Sequence, residues 1–170
     1  MKTKLNTYHK QGTKAIIRKT VFNLFPSYRR SGGRVCFISD NWKEVHIKLR
    51  YSWKTRNYVG SVFGGSIYAA LDPIYMVQLI CILGKNYVVW DKDASIKFIK
   101  PIKKTVYARF LIDDELLREI KETIEKDQKG NFILNTQFED EKGTVYALVE
   151  KTIYIADKDF YSNRQLKKTS

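Results

Sequence analysis

Apolar residues recur along this chain at two periods, and the changes of period divide it into elements. In residues 13–25, Ile16, Ile17, Thr20, Val21, Leu24 and Phe25 fall at helical spacing, which predicts an amphipathic helix lying against something. Pro26 stops that helix. A basic, polar link over residues 27–33 leads out of it. Residues 34–39 are a short apolar run. Residues 44–50 then alternate strictly, with Val45, Ile47 and Leu49 on one face and Glu44, His46, Lys48 and Arg50 on the other. That is a half-buried strand, and the turn-like segment before it predicts a hairpin. His46 falls on the polar face and reads as an exposed strand residue.

Residues 60–83 are the most apolar stretch. Asp72-Pro73 interrupts it near its centre and Gln78 follows, so a membrane span is a poor reading. A helix apolar nearly all round belongs in a core, and Gly84 ends it. Beyond it, Tyr87–Trp90 is apolar, Ile96 and Phe98 alternate with Lys97, and Val106, Ala108, Phe110 and Ile112 alternate with polar or aromatic residues. Residues 113–128 carry the stripe Leu116, Leu117, Ile120 and Ile124, with Asp113 or Asp114 as cap and Gly130 beyond the end. Residues 131–139 and 144–155 are two long strands joined by a hairpin turn. The tail over residues 158–170 is polar and reads as frayed. One buried helix among about six mostly antiparallel strands needs a sheet that wraps round it, which is an α+β fold.

Composition narrows the partners. In 170 residues, 44% are hydrophobic and 14% aromatic, which excludes a disordered chain and leaves room for one domain with a core. The net charge is +13, and residues 1–39 hold nine Lys or Arg and no acid; the first carboxylate is Asp40. Such a field attracts nucleic acid, anionic lipid or phosphorylated small molecules, although solubility alone also accounts for it. No nucleic-acid-binding signature accompanies the charge, so no specific nucleic-acid partner is expected. Cys36 and Cys81 lie in apolar runs and read as buried, reduced thiols. With His9 and His46 they lack metal-site spacing, so neither metal nor cofactor is expected. The N-terminus has no apolar stretch, and a cytoplasmic protein is the default expectation.

The chemistry concentrates in residues 57–72. Asn57, Gly60, Gly64, Gly65 and Asp72 stand at spacings that resemble the hotdog-fold thioesterase superfamily. The nearest resemblance is to its thioesterase-like, DUF4442-like branch, related to the phenylacetate-pathway and acyl-CoA thioesterases. That pattern is Asn, Gly three later, then His-Gly-Gly, with Asp nine after the His. Here Phe63 takes the place of the His. The likeness spans roughly residues 31–156. It implies a single hotdog domain, with residues 1–30 as a basic extension bearing the amphipathic helix, residues 31–157 as the domain and residues 158–170 as a polar tail. It also implies a homodimer or homotetramer whose pocket lies between one subunit's central helix and the other's strands, and an acyl-CoA or related thioester as substrate.

On their own terms, paired glycines at a helix start expose backbone N–H groups to a developing oxyanion, aided by the helix dipole. An Asp inside an apolar helix is costly unless paired or functional. Asp72-Pro73 reads almost equally as an ordinary helix start, Asp as N-cap and Pro at the first position. The resemblance favours the functional position: Asp72 as base or nucleophile, Gly65 with Gly64 polarising the carbonyl, and Asn57 positioning water or carbonyl. Phe63 either packs on an acyl chain or marks a reduced activity, leaving a non-catalytic binder of acyl groups as the alternative. Relatives carry Ser or Thr on the following strand, about ten residues before a Pro; counted back from Pro101, that position is Asp91, beside Lys92. Lys97, Lys100, Lys103 and Lys104 cluster around Pro101 and suit the phosphates of coenzyme A.

Overall fold

A computed structural model describes residues 12–169. The first eleven residues of the predicted basic extension, His9 among them, and Ser170 lie outside the described residues.

Six strands form one antiparallel sheet in the order β1-β2-β4-β5-β6-β3. They are β1 (Gly33–Ile38), β2 (Glu44–Leu49), β3 (Tyr87–Phe98), β4 (Val106–Leu111), β5 (Lys129–Glu139) and β6 (Val145–Asp157). The strict alternation of β2 is kept: Val45, Ile47 and Leu49 are buried and register against Phe110, Ala108 and Val106 of β4. The concave face of the sheet holds the central helix, made of α3 (Gly64–Leu71) and α4 (Ile74–Leu83). Ile67, Ala70, Leu71, Ile74, Tyr75 and Leu79 bury themselves there. The Tyr75 ring meets Phe110 edge-on at 4.9 Å, and its hydroxyl donates to the Asn135 carbonyl at 2.7 Å. Close approach is possible because position 33 is glycine: a Cβ there would stand 2.7 Å from that of Ala70. The fold is therefore α+β, a sheet wrapped round a helix.

The expected buried helix differs in two respects. Proline removes a helical N–H, and the run divides at Asp72-Pro73. Only one side of it is covered, with Tyr68, Ile80 and Cys81 facing outward. By length and composition Gly64–Leu83 is the one candidate membrane span among the described residues, yet its inner side is the core of the sheet. Cys81 is thus exposed, and Cys36, at a bulge in edge strand β1, is half-buried; neither is the fully buried thiol expected. His46 also departs from expectation. Its side chain is largely covered, with Nε2 2.6 Å from Glu44 Oε1, which also accepts from Arg109 Nε at 2.6 Å. Burial lowers the His46 pKa against the pull of Glu44. For Glu44 burial acts upward, but the Arg109 and His46 bonds hold it low.

Three further helices flank this core. α5 (Asp114–Asp127) packs on β5 and β6, with the Asp113 carboxylate accepting from the Leu116 N–H at 2.8 Å. α1 (Thr13–Leu24) lies along β1, and α2 (Pro26–Arg30) follows where a link was expected. Pro26 both ends one helix and begins the next, since its missing N–H is harmless at a first position. The tail expected to fray is helix α6 (Lys158–Thr169). The Asp157 carboxylate caps it, accepting from the N–H groups of Asp159 and Phe160 at 2.9 and 3.0 Å.

Phe110→Ala removes a fully buried ring from the helix–sheet contact and should cost about 3–5 kcal/mol in denaturant unfolding. Ile133→Ala, on the exposed face of β5, should change stability by less than about 0.5 kcal/mol.

Candidate functional site

The segment before α3 is pinned by main-chain bonds. Thr55 is buried; its hydroxyl donates to the Arg50 carbonyl at 2.6 Å and accepts from the Ser52 N–H at 3.0 Å. Its carbonyl accepts from the Phe63 N–H at 2.8 Å, while the Val62 N–H reaches the Ile102 carbonyl at 2.8 Å. These bonds fix where the helix begins. α3 starts at Gly64, with Phe63 as an N-cap that makes no side-chain bond. The first N–H groups of a helix have no partner within it, and among the described residues nothing accepts from those of Gly64 or Gly65.

Two aromatic rings occupy the space these glycines leave. A Cβ on Gly65 would lie 2.3 Å from the Phe63 ring, and one on Gly64 would lie 3.2 Å from the Phe98 ring. The turn opens into a groove of about 310 Å³ lined by Asn57, Gly64, Phe98, Lys100 and Pro101. The Asn57 amide is engaged within its own loop, donating to Ser61 Oγ at 3.0 Å and accepting from the Ser61 N–H at 2.9 Å.

Asp72 closes the last turn of α3. It is helical and does not act as an N-cap for α4, whose flanking residue is Pro73. The reading of Asp72-Pro73 as a helix start, with Asp as N-cap and Pro at the first position, is therefore corrected. Its partner is Lys151 of β6, whose side chain is 1% exposed. Lys151 Nζ donates to the Asp72 carbonyl at 3.0 Å and to Asp72 Oδ1 at 3.3 Å. It also stands 3.0 Å from Asp91 Oδ1, off the line of a well-formed hydrogen bond, and 5.8 Å from the centre of the Tyr68 ring. Two carboxylates thus share one buried ammonium. Burial raises the pKa of Asp91, the Asp72 charge adds to that, and Lys151 opposes it. Burial also raises that of Tyr68, with Asp72 next. Asp91 lies in β3 next to a bulge between Asp91 and Asp93, not in an exposed turn; the bulge re-aims the chain there.

The predicted residues therefore fall into two groups on one helix. Asn57, Phe63, Gly64, Gly65 and Lys100 gather at its start; Asp72 and Asp91 gather at its middle. Lys92 is turned toward Asn131, with 3.3 Å between Nζ and Oδ1, and Lys97 and Lys103 are exposed without joining either group. Lys104 pairs with Asp140 at 3.4 Å. Sequence reasoning missed Lys151 and Tyr68. Both left a signal: Tyr68 stands four residues before Asp72, the spacing of helical neighbours, and Lys151 takes an inward slot in the alternation Val149, Lys151, Ile153, Ile155.

A family described as a domain of unknown function (DUF4442) matches residues 13–155. The chain belongs to that family. No curated protein matches it by sequence. Among solved structures, this DUF4442 chain is similar to a Pseudomonas aeruginosa protein of unknown function titled a probable thioesterase, with TM-score 0.73 and 18% identity over 88% of this chain and 99% of that one. It is similar to a thioesterase from Haemophilus influenzae, with TM-score 0.62 and 12% identity over 88% and 94%. It also resembles mouse thioesterase superfamily member 2, with TM-score 0.61 and 12% identity over 85% and 98%. These likenesses establish the hotdog fold of the DUF4442 chain.

Lys151→Met should cost about 3 kcal/mol, because it leaves the half-buried Asp91 beside Asp72 with no cation between them. The deficit should narrow as pH falls from about 7 to about 5. A carboxyl whose pKa is raised by folding binds protons more readily in the folded state, so acid favours that state. Urea unfolding of the variant and wild type at several pH values checks both the size and the sign.

Proposed function

We propose that this chain hydrolyses acyl thioesters, with coenzyme A esters as the substrate class, at a pocket shared between two copies. The observation that carries the reading is one helix bearing unpartnered N–H groups at its start and a lysine-held carboxylate in its middle. Both are needed for acyl transfer: donors for the oxyanion and a group that delivers water. Gly65 and Asp72 are seven residues apart, about 10 Å along the axis. Reacting atoms must come within about 3–3.5 Å, so one copy's glycine turn and its own Asp72 cannot serve the same carbonyl.

Edge strand β3 supplies a way to bring them together. Antiparallel pairing of two β3 strands about an axis between Ala94 and Ser95 would set Asp91 of one copy opposite Phe98 of the other, and so the Asp72 region of the first toward the Gly64 turn of the second. Water then loses a proton to Asp72 and its oxygen attacks the thioester carbonyl carbon. The oxyanion is held by the Gly64 and Gly65 N–H groups, and on its collapse the C–S bond breaks. The thiolate leaves and takes up a proton, giving the acid and the free thiol. Lys151 and Asp91 fix the Asp72 side chain. Lys100, which lines the groove, offers charge for the substrate's phosphates, and Lys97 and Lys103, outside both groups, add to the positive field around it.

One observation favours a second reading. The Phe63 ring covers Gly65, so a non-catalytic acyl binder on the same scaffold would need no access to those N–H groups.

Thiol release from short, medium, long and aromatic acyl-CoAs separates the two. Asp72→Asn should lower the rate by about 10²–10⁴-fold with substrate binding retained. Binding without turnover in the wild type, unchanged by Asp72→Asn, would instead identify the binder. Trp90→Glu, on the exposed face of β3, should yield monomers by light scattering and lose turnover together with assembly.

A further inference from the structure

Helix α1 is amphipathic in the reverse sense. Two of its polar residues face the protein beside Phe22, which packs edge-on against Tyr28, while Thr13, Lys14 and Thr20 are exposed. Of the inward pair, Asn23 accepts from the Val35 N–H and donates to the Val35 carbonyl, both at 2.9 Å. Arg18 donates to the Asp40 carbonyl at 2.9 Å and lies over the Trp42 ring. Ala15 is its one buried residue. The apolar stripe points to solvent instead, with Ile17, Val21, Leu24 and Phe25 between 57% and 63% exposed. A helix with an apolar outer stripe is normally covered by something.

The surroundings identify what covers it. Leu24, Pro26, Arg29, Arg30, Gly32 and Lys54 line a hollow of about 590 Å³, and Lys54 stacks over the exposed Trp53 ring. Lys14 and Arg34 are exposed on the same helix–strand unit. The chain's first carboxylate, Asp40, sits at the other end of α1, where a Cβ on Gly12 would meet it at 2.9 Å. The patch is therefore apolar along its ridge and cationic along its flank, with an aromatic beside it. That combination matches a lipid surface, where the ridge enters the acyl boundary and the cations meet phosphates.

We propose that α1, α2 and the Trp53–Lys54 tip dock this protein on membranes containing anionic phospholipid. A second copy on this face would bring two like-charged patches together, since a two-fold interface uses the same surface twice. A nucleic acid would engage the cations and leave the stripe in water.

The full chain is sedimented with vesicles of phosphatidylcholine alone and with vesicles of equal parts phosphatidylcholine and phosphatidylglycerol. The expected result is capture by the anionic vesicles at low salt, weaker by about tenfold or more in Arg29→Gln/Arg30→Gln. Val21→Asp/Leu24→Asp, at exposed positions, should lose capture while keeping its circular dichroism spectrum. A folded wild type that stays in solution with anionic vesicles overturns the proposal. So does capture unaffected by Val21→Asp/Leu24→Asp, or tighter binding to an RNA or DNA duplex. Loss of oligomer in Val21→Asp/Leu24→Asp by light scattering, without vesicle binding by the wild type, assigns the face to a second copy and overturns it as well.

Discussion

The ammonium of Lys151 sets the terms for everything around it. A lysine taken out of water must be answered by charge or by carbonyl oxygen, or it gives up its proton. Here the answer comes from two directions: the carbonyl and carboxylate of Asp72 on the central helix, and the carboxylate of Asp91 on the edge strand. One side chain of β6 therefore ties the break in the helix to the outermost strand. The break falls at Asp72-Pro73, so the contact fixes the helix where its own hydrogen bonding is weakest. Asp72 is held without being sealed, since nearly half of its side chain stays open.

Much of this was legible in the order of the residues. Alternation in β2 gave its inner face, the Leu117–Ile120–Ile124 stripe gave α5, and the Asn57 to Asp72 spacing located the glycine turn and the carboxylate. The missing parts share a cause: periodicity shows that a stripe exists, not which way it faces. The apolar residues of α1 read equally well as a buried face, and only the Asn23 and Arg18 contacts reveal the reversed orientation. Tyr68, Ile80 and Cys81 were assigned to the core because the central helix is apolar on every side, whereas the sheet covers one side only. Lys151 escaped notice because a lysine in a strand is ordinarily a surface residue. Its place in the inward register was the available clue. The C-terminal helix was hidden by its polar composition, although Asp157 is a recognisable cap.

Phe63 illustrates how one substitution redistributes space. Relatives are expected to carry a polar ring before the two glycines. Here an apolar ring folds back over Gly65 while Phe98 approaches Gly64 from the edge strand. The glycines thus serve packing as well as exposure of their N–H groups. The lost hydrogen-bonding capacity is not replaced locally, since the Asn57 amide is spent on Ser61. The turn is held instead by main-chain bonds through Thr55 and Ile102. Among the described residues, the donors this turn leaves without a partner are consequently backbone N–H groups.

The Asn23 amide has a consequence for growth. By offering Val35 both an acceptor and a donor, it imitates the peptide of a missing neighbour strand and closes that margin of the sheet. Among the described residues, no side chain makes such a pair of bonds to the main chain of β3, the opposite margin. A ribbon with two free margins can add copies without limit, which is the route to fibres. One with a single free margin stops after its first addition, because joining consumes the only place where another could attach.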